Sequence, residues 1–393
     1  MKTRRFGRTN LDMPIFSCGG MRYQQSWEDE DPAKIDPAGQ ANLEATIRRS
    51  VELGINHIET ARGYGSSEMQ LGNILPTFPR EELIVQTKVG PSKRETYLET
   101  FNKSMRYLRL DYVDLLSIHG INNAELLADS LAPGGALEAC RQIQREGRAR
   151  FIGFSTHGPC EAITDAVNTG EFDYVNLHWY YVNQINWPAV EAATALDVGV
   201  FIISPSDKGG KLYEAPPKLT ELCAPWSPMV FNDLFCLRRP EVHTLSLGAS
   251  RPSDFDEHLR AAELLDRADE IVPEVAERIR AALVAFHGRE WMEGYSTGLP
   301  AWEDVPGHVN IQEILRLWTL ATGLDMIEFA KMRYNLLGNG GHWFPGLNAK
   351  DMDEGAIRNC LGDHPFRDRI PAVLREADAL LREAPVERLS SAD

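Results

Sequence analysis

The chain has 393 residues, a formal net charge of −16, 43% hydrophobic residues and six cysteines. That length exceeds one ordinary domain and suits a barrel with an appendage. The acidic balance, without any basic cluster, argues against nucleic acid or an anionic membrane as a partner, and no apolar run is long enough to cross a bilayer.

The start, Met1 to Phe6, holds a pair of arginines but no apolar run or cleavage site follows, so the reading is a protein without a signal peptide, in the cytoplasm. Cys18, Cys140, Cys160, Cys223, Cys236 and Cys360 are scattered, as expected for buried free thiols in a reducing compartment rather than for disulfides or a zinc site. From about residue 14 short apolar runs alternate with amphipathic segments. A polar stretch, Gln24 to Gln40, reads as a long loop after the first strand. Strands are predicted over Ile55 to Thr60, Leu83 to Lys88, Tyr112 to His119, Phe151 to Ser155, Tyr174 to Trp179, Val200 to Ser204 and Val242 to Leu247. Helices are predicted over Leu43 to Leu53, Glu95 to Leu108, Ala136 to Glu146 and Ala189 to Leu196. So many strand–helix units imply an α/β fold closed into a TIM (β/α)8 barrel over residues 1–268. Cys18-Gly19-Gly20 lacks the glycine spacing of a dinucleotide fingerprint, which argues against a doubly wound sheet.

A small helical C-terminal domain is expected over residues 269–385. Val275 to Phe286, Ile311 to Phe329 and Pro371 to Leu381 have helical patterns, while Gly288 to Pro306, rich in Gly, Pro and Trp, reads as irregular. Trp291, Trp302, Trp318 and Trp343 read as core filling of this domain. The tail, 386–393, is expected to be disordered.

In such a barrel the C-terminal strand ends line the site. Those ends bring Glu59, Tyr64, Lys88 and His119 from three neighbouring strands. The set has a chemical logic. Reducing a carbonyl by hydride transfer leaves an alkoxide that needs a proton. Tyrosine, with an ordinary pKa near 10, donates sluggishly at neutral pH, and a close lysine ammonium lowers that value. A carboxylate keeps the lysine charged, and an imidazole aims the carbonyl at the phenol. His157, His178, Trp179 and Arg62 are placed at the mouth or rim.

Ile58-Glu59-Thr60-Ala61, Tyr64-Gly65, Glu68, Leu71-Gly72, Thr87-Lys88, Asp111 to Leu115, His119 and Ile152 to Ser155, in that order, resemble the aldo-keto reductases. The resemblance covers about two-thirds of the chain. It implies Tyr64 as the acid, with Lys88, His119 and Glu59 completing the catalytic set. The family usually carries aspartate where this chain has Glu59. One extra methylene moves the carboxylate by about a bond length, a misplacement that costs roughly a hundredfold in a tight site. The charge is kept, so weakened or retuned chemistry is expected rather than none.

The resemblance also implies a nicotinamide cofactor. Ser155 and Asn176 match residues that hold the carboxamide, and an aliphatic Ile203 falls where the family has an aromatic ring partner. Ser204 to Lys211, with Lys208 and Gly209-Gly210, matches the pyrophosphate segment. Gly248 to Arg251 matches the adenosine-phosphate site, and Arg251 suits a 2′-phosphate, so NADP is expected ahead of NAD.

The C-terminal part resembles a branch with a ferredoxin-like module, through Val309-Asn310-Ile311, Gly323 to Ala330, Gly340-Gly341-His342 and Ile370-Pro371. That branch has close cysteines around 290–306. Here only Cys360 stands near a cysteine-rich position, so a degenerate module without an iron–sulfur cluster is expected.

The leading expectation is therefore an NADP(H)-dependent oxidoreductase acting on a small carbonyl or alcohol. One rival is a non-catalytic barrel that binds nicotinamide and senses redox state, favoured by Glu59 and Ile203. Another is a metal-dependent hydrolase built on His119, His157, His178 and Glu59, which the first strand does not support with paired ligands. Nothing in the chain specifies an oligomeric state.

Overall fold

The computed structural model describes residues 1–385. The tail 386–393, expected to be disordered, lies outside the described residues. The chain opens with an antiparallel hairpin, β1 (Thr3–Arg5) against β2 (Asp12–Pro14). Eight parallel strands follow: β3 (Phe16–Gly19), β4 (His57–Glu59), β5 (Ile84–Val89), β6 (Val113–His119), β7 (Ala149–Ser155), β8 (Tyr174–Leu177), β9 (Gly199–Ile202) and β10 (Thr244–Leu247). They close in the order β10-β3-β4-β5-β6-β7-β8-β9. This is the TIM barrel that the strand–helix alternation predicts.

The interior is layered by strand alternation. At the bottom the hairpin contributes Phe6, Leu11 and Met13 to an apolar cluster with Ile84, Leu115, Tyr174 and Phe201. Above it lies a buried polar layer. Ser17 Oγ is 2.6 Å from His57 Nδ1 and 2.7 Å from Thr244 Oγ1. Gln86 Nε2 donates to Ser117 Oγ at 3.0 Å, and Ser117 Oγ lies 2.9 Å from Tyr174 Oη. Two residues further along the strands come Glu59, Lys88, His119 and Asn176, at the end where a barrel carries its chemistry.

Two compact units divide the chain. Among the described residues, one comprises Met1–Gly209 and Asn232–Ala268, the other Gly210–Phe231 and 269–385. A single cut at 268 therefore does not separate them, because 210–231 falls with the second. In the first unit the predicted loop from Gln24 to Gln40 is cut short. A helix starts at Pro37, with Asp36 accepting from Gly39 N and Pro37 at its first position.

In the second unit the predicted helix Ile311 to Phe329 is two helices, Ile311–Leu324 and Ile327–Tyr334. Asp325 takes a left-handed conformation (φ 58°) and ends the first. The stretch Gly288 to Pro306, read as irregular, contains a helix, Arg289–Gly294. Packing overrides composition there. Trp291 is buried, stacked on Tyr295 at 5.4 Å and edge-on to Phe366 at 5.1 Å. Trp318 and Trp343 are buried too, whereas Trp302 is only half-buried.

All six cysteines are free. Cys160 and Cys360 are half-buried and not fully buried as expected, and burial pushes the thiols of Cys18, Cys140 and Cys223 up to about 12. Among the described residues no helix is long and apolar enough to cross a membrane.

Candidate active site

Lys88 sits on β5, one strand from Glu59 on β4, and both are buried. Its ammonium has three N–H donors, and the structure supplies three acceptors. They are the Glu59 carboxylate, the Thr60 carbonyl at 3.0 Å and the Tyr64 hydroxyl at 3.2 Å. Burial pulls the Lys88 pKa well below the ordinary lysine value. The touching carboxylate works the other way, and the three-acceptor geometry fits the charged form. His57, beneath it, is held down to about 3, first by burial and then by the Lys88 charge.

Tyr64 comes from the turn after β4, which tight backbone geometry fixes. Its amide donates to Ala61 O, and Gly65 has φ +53°. A Cβ on Gly65 would lie 2.1 Å from Ser26 O, so the loop after β3 closes on a residue that must be glycine. Arg62 bonds Gly65 O and pairs with Glu68, which also accepts from Thr87 Oγ1 at 2.6 Å. Arg62 is thus part of the frame around Tyr64. His119 ends β6, and its ring meets the Tyr64 ring edge-to-face at 5.7 Å. The structure brings Glu59, Tyr64, Lys88 and His119 together.

Glu59 has a further partner. Ser246 Oγ, on β10, donates to Glu59 Oε2 at 3.2 Å. Sequence reading misses Ser246 because a serine in so short an alternating strand carries no sign of its partner, and because barrel closure alone brings β10 beside β3.

Ser155 and Asn176 are paired in register on β7 and β8 and are buried. The Ser155 hydroxyl and both polar atoms of the Asn176 amide have no hydrogen-bond partner among the described residues. Such groups are costly to bury unless something else satisfies them. Ile203, after β9, packs partly on the bottom cluster, and its carbonyl accepts from Tyr180 Oη. His178 Nδ1 meets that hydroxyl, and the His178 ring stands edge-on to His157 at 4.3 Å. Trp179 is buried against Phe235, as packing and not as mouth.

Lys208 Nζ lies 3.2 Å from His157 Nε2. Its backbone belongs to a tight turn. Ser204 has φ +53°, Lys208 N donates to Ser204 O at 3.0 Å, and a Cβ on Gly209 would meet Pro205 O at 1.8 Å. Gly210 has φ +134°. Arg251 is exposed, with Nε 2.9 Å from Asp254 Oδ1, a partner that sequence reading does not anticipate. The Ser250 amide and hydroxyl both donate to Asp254 Oδ2 at 2.8 Å. Among the described residues no group of three or more His, Cys, Asp or Glu could hold a metal ion. His119, His157, His178 and Glu59 form no such group.

Comparison with known proteins follows the same geometry. The Aldo/keto reductase family pattern matches residues 16–209. L-galactose dehydrogenase of Arabidopsis thaliana is 31% identical over 204 residues, covering 46% of this chain and 60% of that protein. D-threo-aldose 1-dehydrogenase of a Pseudomonas species is 28% identical over 169 residues, 35% of this chain and 50% of that protein. The chain thus spans about half to three-fifths of the length of these two relatives. An aldo-keto reductase from Bacillus halodurans, in its holo form, shares the fold with a TM-score of 0.59 at 19% identity, over 71% of this chain and 96% of that one. Residues 16–209, which carry β3 to β9 and the Glu59, Tyr64, Lys88 and His119 group, match the Aldo/keto reductase family.

Proposed function

We propose that the protein is an NADP(H)-dependent oxidoreductase that interconverts a small carbonyl compound and its alcohol. The observation that carries this reading is the Lys88 ammonium, buried and held by Glu59 and Thr60 with its third donor on the Tyr64 hydroxyl. A buried ammonium is expensive to desolvate, and one aimed at a phenol fits a tyrosine that gives up a proton.

The residues for the cofactor fit it. The unpartnered Ser155 hydroxyl and Asn176 amide offer a donor and acceptor set to a carboxamide at the end of β7 and β8. When bound, the nicotinamide supplies the hydride. Tyr64 Oη gives the proton to the oxygen of the reduced carbonyl. Lys88 stabilises the tyrosinate left behind, and Glu59 keeps Lys88 charged and aimed. His119, edge-on to Tyr64, orients the carbonyl oxygen towards the phenol. In the reverse direction the same tyrosinate accepts the alcohol proton.

Lys208, with the turn from Ser204 to Gly210, is assigned to the pyrophosphate. Arg251 is assigned to a 2′-phosphate, which would compete with Asp254 for the guanidinium and so make the preference for NADP over NAD modest. The names of the two relatives above are of sugar dehydrogenases, so aldoses come first as substrates. The second unit is read as the helices of a ferredoxin-like module that has lost its cluster. Its cysteines, Cys223 and Cys360, fall short of the four thiolates a cluster takes. Six free thiols suit a reducing cytoplasm.

Fluorescence titration with NADPH and NADH, followed by turnover on a panel of aldoses and simple aldehydes, tests the reading. Binding of NADPH is expected, with affinity falling roughly tenfold in Ser155→Ala or Asn176→Ala. Failure of both dinucleotides to bind would overturn it.

A further inference from the structure

Glu59 is one methylene longer than the residue its family usually places there, and the barrel around it has space and a partner for that length. β3 stands between β10 and β4, with Gly19 in register beside Glu59. A Cβ on Gly19 would lie 2.6 Å from Ser246 Oγ and 3.2 Å from Glu59 Oε2. Because Gly19 has no side chain, the carboxylate reaches across β3. One of its oxygens, Oε1, meets Lys88 on β5, while the other accepts from Ser246 on β10. All three side chains are buried.

We infer that Ser246 is a positioning residue for the proton-donating group, and that Gly19, Glu59 and Ser246 form a matched set which fixes the Lys88 ammonium against Tyr64. The inference rests on the reading of Tyr64 as proton donor. Its physical basis is simple. A carboxylate bound at one oxygen alone can rotate about its last torsion and carry Lys88 with it. A hydroxyl on the other oxygen removes that freedom and favours the ionised form. An aspartate at this position would be too short to hold both partners. The pocket is therefore built for glutamate, and shortening the side chain should weaken the site and not restore it.

Glu59→Asp, Ser246→Ala and the two together form a double-mutant cycle. Two readouts are followed: kcat for carbonyl reduction, and the titration of the Tyr64 ring carbon in protein labelled with ¹³C at tyrosine Cζ, assigned by its loss in Tyr64→Phe. The second readout needs neither cofactor nor turnover. Each single change should lower kcat roughly tenfold and move the Tyr64 titration to higher pH, because Lys88 is held less firmly. In the Glu59→Asp background, Ser246→Ala should add little, since the shorter carboxylate no longer reaches β10. Gly19→Ala should raise the Tyr64 titration in the same direction, by pushing Ser246 and Glu59 apart. Full additivity of the two changes, or a Tyr64 titration that Ser246→Ala leaves in place, would overturn the inference. If the wild-type protein reduces no carbonyl at all, the enzymatic reading fails, and the tyrosine titrations still decide whether Ser246 acts through Glu59 on Tyr64.

Discussion

The two units of this chain spend their buried volume differently. In the barrel unit, Lys88, Glu59, Glu68, Asp114 and His57 are all buried, all five of them ionisable groups on which a charge is expensive to remove from water. In the C-terminal unit the deepest large side chains are rings. Trp291 and Tyr334 are fully buried, and the guanidinium of Arg369 lies 4.1 Å from the Trp291 ring centroid. One ion pair of that unit, Glu313 with Arg316, spans three residues on one helix and keeps some exposure. The barrel accepts a polar interior where the C-terminal unit has an aromatic one. Polar burial of that kind is retained for what the groups do together, which is why the strand ends, and not the tryptophan cluster, carry the functional proposal.

That contrast is most open to attack through Trp291. Replacing it with alanine should cost about 3–5 kcal/mol, the usual range for deleting a packed aromatic ring. Denaturant unfolding followed by tryptophan fluorescence and by circular dichroism measures it. A loss below about 1 kcal/mol would mean that the ring is not the core element its stacking implies.

A smaller effect sharpens the other half. His57 is held down to about 3 and His243 to about 4, in each case chiefly by burial. The unfolded chain, with histidines near their ordinary 6.5, binds these protons more readily than the folded one. Stability from this source is complete above pH 6.5 and is lost as pH falls from there towards 4 and then 3. Between pH 7 and pH 5 the expected loss is about 1–2 kcal/mol per buried histidine, read from urea midpoints at the two pH values. His57→Gln should flatten that dependence. An unchanged midpoint in the wild type would show that the layer beneath the site is open to water.

How much of this is legible in the chain depends on whether a feature is local. The strands announce themselves by apolar runs of the right length, and the strand-end rule then finds Glu59, Lys88 and His119 without any long-range information. Tyr64 follows from its tight turn at Gly65. Ser246 does not follow, because it lies 187 positions from Glu59 and the alternation of Thr244–Leu247 does not say which group its hydroxyl meets. Asp254 is hidden for a different reason: an aspartate three residues after an arginine reads as an ordinary surface pair. The helix Arg289–Gly294 defeats composition because tertiary packing of Trp291, and not local propensity, holds it. The break at Asp325 is equally silent, since a left-handed aspartate leaves little trace in an otherwise periodic run.

The central claim is that Tyr64 donates the proton. Its most direct test is Tyr64→Phe, with NADPH affinity and single-turnover reduction measured on the same preparation. The phenol is needed only as the alkoxide forms, so its loss acts on the transition state and not on the bound cofactor. The account predicts an NADPH affinity within about twofold of wild type and reduction slowed by roughly 10²–10⁴. Reduction at the wild-type rate in Tyr64→Phe would contradict it and require a different proton donor.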